Sequence, residues 1–145
     1  MPRFIFEGAA RWRSETESDI VIKDKHVTVV SPPPEFGGKL GYLVPEEVFA
    51  ASPASCMNTL FLLTARNSRL GLKKLETKAV LEMDAEGLDK LIFTNIYFLL
   101  TIALERDIEQ ERKKANSCYQ IAQRTCPIRQ SWGEKVPVTF QMEIQ

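Results

Sequence analysis

Tyr42-Leu-Val-Pro-Glu-Glu-Val-Phe-Ala-Ala-Ser-Pro-Ala-Ser-Cys-Met-Asn-Thr-Leu-Phe-Leu-Leu-Thr64 is the most apolar helix candidate in the chain, with Cys56 in its middle. Pro45 suits a first helical turn, where its missing N–H is no loss. Glu46 and Glu47 place negative charge at the positive end of the helix dipole. Val48, Phe49, Ala51, Cys56, Leu60, Phe61 and Leu63 leave little polar surface, the pattern of a buried central helix. Pro53 removes one helical hydrogen bond and crowds the preceding turn, so a kink or a restart is expected there. In a restart, Ser52 is the N-cap and Cys56 lies in the opening turns of a second helix, where a thiolate is favoured. Against this stands the ordinary behaviour of a free cysteine, which packs as a small buried hydrophobe.

Outward from this helix, the pattern alternates strands and turns. On the N-terminal side, residues 3–12 alternate loosely as a first strand, and residues 13–18 are polar and turn-like. Residues 20–22 and 27–30 read as two strands around the polar connection Lys23-Asp24-Lys25-His26. Residues 31–41 hold three prolines and three glycines and must be loop, a wall beside the helix or a simple connector. On the C-terminal side, Gly71 is the C-cap candidate. Residues 75–84 and 91–104 read as strands around Glu86-Gly87. Residues 107–123 form a second helix, with Asp107 as its cap and Ile108, Ala115, Cys118, Ile121 and Ala122 as its apolar stripe. Cys126-Pro127 ends that helix, because the residue before proline leaves helical space. Residues 136–144 close the chain as a strand. Strand runs separated by long helices predict an α+β fold rather than a parallel α/β sheet, in a single domain over residues 1–145.

Composition narrows the function. Lys plus Arg and Asp plus Glu both number 19, so no broad basic field exists to hold nucleic acid. Three cysteines give no disulfide framework and favour a reducing setting. With no apolar signal core at the N-terminus, and an apolar run at 91–104 too short for a bilayer, a cytoplasmic protein without a membrane partner is expected. One histidine and no C-x-x-C spacing argue against a metal site. His26 sits in an apparent hairpin, a poor place for the base of a Cys–His pair. No phosphate-binding glycine motif is present, and no cofactor is expected. Thiol redox chemistry is what remains, with Cys56 and Cys126 able to meet if the two helices pack together. A disulfide needs Cα atoms within roughly 7 Å. Cys118 lies on the apolar stripe and is expected to pack.

Pro45-Glu46-Glu47-Val48-Phe49-Ala50-Ala51-Ser52, followed by Cys56 and an apolar helix, resembles the signature of the OsmC/Ohr family of osmotically inducible and organic-hydroperoxide-resistance proteins. Cys126-Pro127 after the second helix is similar to that family's second motif, and the order of elements and the length agree over the whole chain. The resemblance implies an OsmC-like fold, with antiparallel sheets wrapped around two long helices in an intertwined homodimer. It implies a thiol peroxidase that reduces organic hydroperoxides, with Cys56 as the peroxidatic thiol, Cys126 as the resolving thiol and a dithiol reductant, of lipoyl type. It also implies an arginine held by a glutamate: Glu46, with Arg13 favoured over Arg11. Such a guanidinium favours the thiolate and stabilises charge on the peroxide oxygens. Phe36, Leu43, Phe49 and Met57 are candidates for a greasy substrate wall, or for ordinary core. Arg129 stands where relatives carry a small hydroxyl residue, and the loop 31–41 is short and proline-rich. These departures keep open a non-catalytic dimer that binds a small apolar ligand or senses redox state, and a purely structural domain.

Overall fold

A computed structural model describes all 145 residues, which form two compact units, Met1–Phe49 and Ala50–Gln145.

The first unit is a three-stranded antiparallel sheet with strands β1 (Ala9–Ser14), β2 (Glu17–Ile22) and β3 (Lys25–Val30) in that order. Lys23 and Asp24 both take positive φ, so two residues close the β2–β3 hairpin. Turns of that twist match the twist of the strands they join. The first strand begins at Ala9 rather than residue 3, and β2 begins at Glu17 inside the span expected to be a turn. Glu17 is buried, and Lys39 Nζ reaches its carboxylate at 2.8 Å and that of Glu15 at 3.0 Å. Through Lys39 the proline-rich loop is tied to the β1–β2 hairpin. Ser31, also buried, accepts the Lys39 N–H at 3.1 Å. A short 3-10 turn, Pro34–Phe36, folds the loop back so closely that a Cβ on Gly38 would lie 1.6 Å from the Pro32 carbonyl oxygen. Only glycine fits that approach.

The second unit holds β4 (Leu72–Glu86), β5 (Lys90–Leu104), α2 (Glu109–Thr125), α3 (Pro127–Trp132) and β6 (Val138–Ile144), together with the larger part of α1 (Pro45–Ser68). β4 and β5 form a long antiparallel hairpin, and β6 adds to the other edge of β5 in parallel. The architecture is α+β as expected. This sheet is mixed rather than purely antiparallel, because α2 and α3 carry the chain back to the start of the central strand. β5 alternates strictly, with Ile96, Phe98, Leu100, Ile102 and Leu104 buried. That face packs with Met57, Phe61 and Ala65 of α1 and Ala115, Cys118 and Ala122 of α2. Phe98 stacks on its register partner Phe140 at 5.2 Å.

Four local expectations are corrected. Helix α1 runs unbroken through Pro53, so Ser52 is not a cap and Cys56 lies in mid-helix. The continuous helix is long and apolar enough, by length and composition, to cross a bilayer, but its Met57, Phe61 and Ala65 lie in this core. It ends at Ser68, and Arg69 rather than Gly71 takes the left-handed position after it. Arg69 takes φ 56°, and the Leu70 N–H reaches the Ala65 carbonyl at 2.9 Å while the Arg69 N–H reaches Arg66 at 3.2 Å. That pair of bonds is a Schellman closure. Asp107 does not cap α2; it binds Arg112 through two oxygens at 2.5 and 2.8 Å. The short helix α3, opened by Pro127, was not expected, and Ile108 of the proposed stripe is exposed.

Candidate active site

Two of the four expected site residues lie in the second unit. Cys56 is half-buried in the middle of α1, and Cys126 is fully buried at the junction where α2 ends and α3 begins. Extended backbone at Cys126, with φ −60° and ψ 119°, separates the two helices, as the following proline requires. Burial pushes the Cys56 thiol up from its ordinary value, and the neighbouring Cys126 pushes it further in the same direction. Both thiols are free. Cys118 packs as expected: it is buried, with Ser68 Oγ at 3.6 Å from its sulfur. It borders a groove of about 450 Å³ between α1 and α2, lined also by Thr64, Ser68, Ser117 and Ile121.

The other two lie in the first unit. Glu46 and Glu47 divide the work at the start of α1. Glu47 reaches back to accept the Val44 N–H at 3.1 Å, the acidic half of a capping box. Glu46 makes no such bond, and its Oε2 is shielded from solvent without any hydrogen-bond partner. Arg13 donates from Nη1 to Asp19 Oδ1 at 3.0 Å, so it is not on Glu46. His26 Nε2 lies 3.0 Å from the same Asp19 oxygen. Arg13 first, and then His26, hold the Asp19 carboxyl below the usual aspartate range, against the opposing effect of desolvation. Arg11 instead pairs with Asp24 at 3.4 Å.

Sequence reasoning missed Asp19. The signal was its place on β2, where register sets it opposite Arg11, but it fell between the span read as turn, 13–18, and the strand read from residue 20. Among the candidate wall residues, Met57 is wholly buried in the core of the second unit, and Phe36 is half-buried. Leu43 and Phe49 are exposed. No group of three or more His, Cys, Asp or Glu side chains is placed to hold a metal ion.

Solved structures share this fold at low identity. An OsmC-like protein of unknown function from Vibrio cholerae superposes with a TM-score of 0.77 at 16% identity, covering 96% of this chain and all of the other. An OsmC-like protein from Mycoplasma pneumoniae gives 0.77 at 12% identity, with 97% of each chain covered. A putative organic hydroperoxide resistance protein from Vibrio cholerae, solved with captopril in one of its active sites, gives 0.64 at 20% identity, covering 97% of this chain and 93% of the other. No curated protein matches the chain at a significant level. The family model for OsmC-like protein matches residues 37–141, a stretch that takes in both Cys56 and the Cys126-Pro127 pair. The chain therefore belongs to the OsmC-like family, and its fold is the OsmC-like fold.

Proposed function

We propose that the protein is a Cys-based peroxidase that reduces organic hydroperoxides to alcohols, working in a reducing, cytoplasmic setting. The observation that carries this reading is the pair of free thiols in one unit, Cys56 half-buried in α1 and Cys126 fully buried where α2 gives way to α3. The Cys56 thiolate attacks the terminal oxygen of ROOH, the O–O bond breaks, and the alkoxide takes up a proton to leave as ROH. Cys56 is left as sulfenic acid. The Cys126 thiol then attacks that sulfur, water leaves, and a disulfide forms. A dithiol reductant, of lipoyl type in this reading, exchanges with the disulfide and restores both thiols. The cation that favours the Cys56 thiolate and its glutamate holder, Arg13 and Glu46, are assigned by the family resemblance alone, since Arg13 pairs with Asp19 here. A homodimer is part of the proposal, supported by the large apolar side chains left exposed, among them Trp12, Phe49, Leu62 and Leu63.

A second reading has an observation of its own. Nothing cationic contributes to the Cys56 shift, which is upward, and Arg13 is engaged by Asp19. These facts suit a non-catalytic relative that senses redox state or holds a small apolar ligand. Stopped-flow oxidation of the reduced protein by cumene hydroperoxide and by hydrogen peroxide, with thiol counting, separates the two. The peroxidase reading expects fast loss of two thiols with the organic peroxide, none in Cys56→Ser, and full activity in Cys118→Ser. Turnover by Cys56→Ser with a dithiol would overturn it.

A further inference from the structure

We infer that Gln130 is a positioning residue that latches the joint between α2 and α3 and so sets how often the buried Cys126 thiol becomes free to react. Its part in turnover rests on the reading of Cys126 as the resolving thiol; the latch itself does not. Cys126 is fully buried, and it is the single residue between the end of α2 at Thr125 and the start of α3 at Pro127. Both of its main-chain groups are bonded. Its N–H donates to the Gln123 carbonyl at 3.4 Å, a long bond, and its carbonyl accepts the Gln130 N–H at 3.1 Å. A backbone held at both groups is not free to re-aim its side chain, so the thiol is released only when the joint opens locally.

The Gln130 side chain crosses that joint. Its Nε2 donates to the Arg124 carbonyl at 3.0 Å. This carbonyl belongs to the last turn of α2, where carbonyls lack a partner within the helix. Gln130 is thus tied by its backbone to Cys126 and by its side chain to α2, and the thiol-bearing residue lies between the two ties. The inward side of α3 is held differently. Ile128 and Trp132 pack against the core of the unit, and Trp132 stacks on Phe93 at 6.0 Å. Gln130 is on the exposed side, so its removal loosens the joint without emptying packed volume. Cys118 supplies an internal control. It is also buried, but it sits inside α2, about two turns before the joint. In the peroxidase reading the freed Cys126 sulfur attacks the sulfenic sulfur of Cys56. An S–S bond forms, the S–O bond breaks, and the hydroxyl leaves with the thiol proton as water.

The first test follows alkylation of each thiol in the native chain by iodoacetamide, with peptide mapping. In Gln130→Ala, Cys126 is expected to react roughly two- to tenfold faster, the range that one net hydrogen bond supports, with Cys118 at its wild-type rate. Gln130→Glu keeps the side-chain length but offers no donor at neutral pH, and should behave as Gln130→Ala. Gln130→Lys offers a donor again and should bring Cys126 back near its wild-type rate. A second test adds a single equivalent of cumene hydroperoxide and traps sulfenic acid with dimedone. Gln130→Ala is expected to form the Cys56 sulfenic acid at the wild-type rate and to convert it to disulfide faster, by a similar factor. Unchanged Cys126 alkylation in Gln130→Ala, equal acceleration of Cys118, or no recovery in Gln130→Lys overturns the latch. Conversion to disulfide at the wild-type rate in Gln130→Ala overturns the positioning role. If the wild-type chain forms no sulfenic acid, the peroxidase reading falls, and alkylation decides the latch by itself.

Discussion

The Met1–Phe49 unit and the Ala50–Gln145 unit are stabilised by different means. In the larger unit one face of β5 and two helices bury Phe61, Ile96, Phe98, Leu100 and Ile102 completely. In the smaller unit only Val21 and Val30 are buried apolar side chains, and the buried set is completed by Glu17 and Ser31. Apolar burial acts in proportion to area and needs no partner of matching geometry. A buried carboxylate is tolerated only while its donors stay in place. The smaller unit is therefore specified by a few directed contacts, which makes it sensitive to charge. The larger one is specified by packing and is sensitive to volume.

The strongest attempt to break this contrast is Phe98→Ala. It empties a fully buried site stacked on Phe140 and is expected to cost about 3–5 kcal/mol in denaturant unfolding. A loss below about 1 kcal/mol would show that packing does not dominate the larger unit.

Acid should act first on the smaller unit. Lys39, ahead of the other influences, lowers the pKa of Glu17, so its folded value lies below its unfolded one. The stability it contributes is present above the ordinary glutamate range, about 4.3, and is lost as pH falls through the depressed folded value. Hydrogen exchange along β1–β3 and the 31–41 loop is expected to rise below that range while β5 amides stay protected. Glu17→Gln should reduce this acid limb, leaving the part due to Asp19, whose pKa is lowered in the same direction. Simultaneous loosening of β5 would erase the distinction.

The smallest expected effect concerns the thiols of the larger unit. Burial, and secondly Cys126, raise the Cys56 pKa, so less thiolate is present at a given pH. Alkylation of Cys56 is expected to keep accelerating above the ordinary thiol value of about 8.5. Cys126→Ser should move the midpoint part of the way down, since burial remains. A midpoint below the ordinary value in the native protein would mean that a cation reaches the thiol.

Elements whose signal is local were legible in the sequence. The β5 run, rich in Ile, Phe, Leu and Tyr, and the helix opened by Pro45-Glu46-Glu47 are where pattern placed them. Pro53 misled because a helix whose inner face carries Met57, Phe61 and Ala65 has enough packing to keep its path despite one missing bond. Arg69 displaced Gly71 as the left-handed residue because the helix end is set by which carbonyls remain to be satisfied, a property of length rather than of residue type. Cys56, Glu46 and Cys126 are candidates from motifs and Arg13 is one of two candidates from the resemblance, but the Asp19 contact has no local signal. It depends on a strand register that begins two residues inside an apparent turn.

The parallel pairing of β6 has a consequence for the order of assembly. β5 lies between β4 and β6, and its β6-facing edge is matched only by residues 138–144. During synthesis β4 and β5 emerge together and can zip at once. The other edge of β5, the most apolar strand in the chain, then stays open while some thirty further residues are made and two helices form. An open apolar edge invites pairing with any neighbouring strand. The nascent chain is thus most exposed to misassembly late in translation, and a ribosome that stalls after α2 would release a sheet with two strands and an unguarded side.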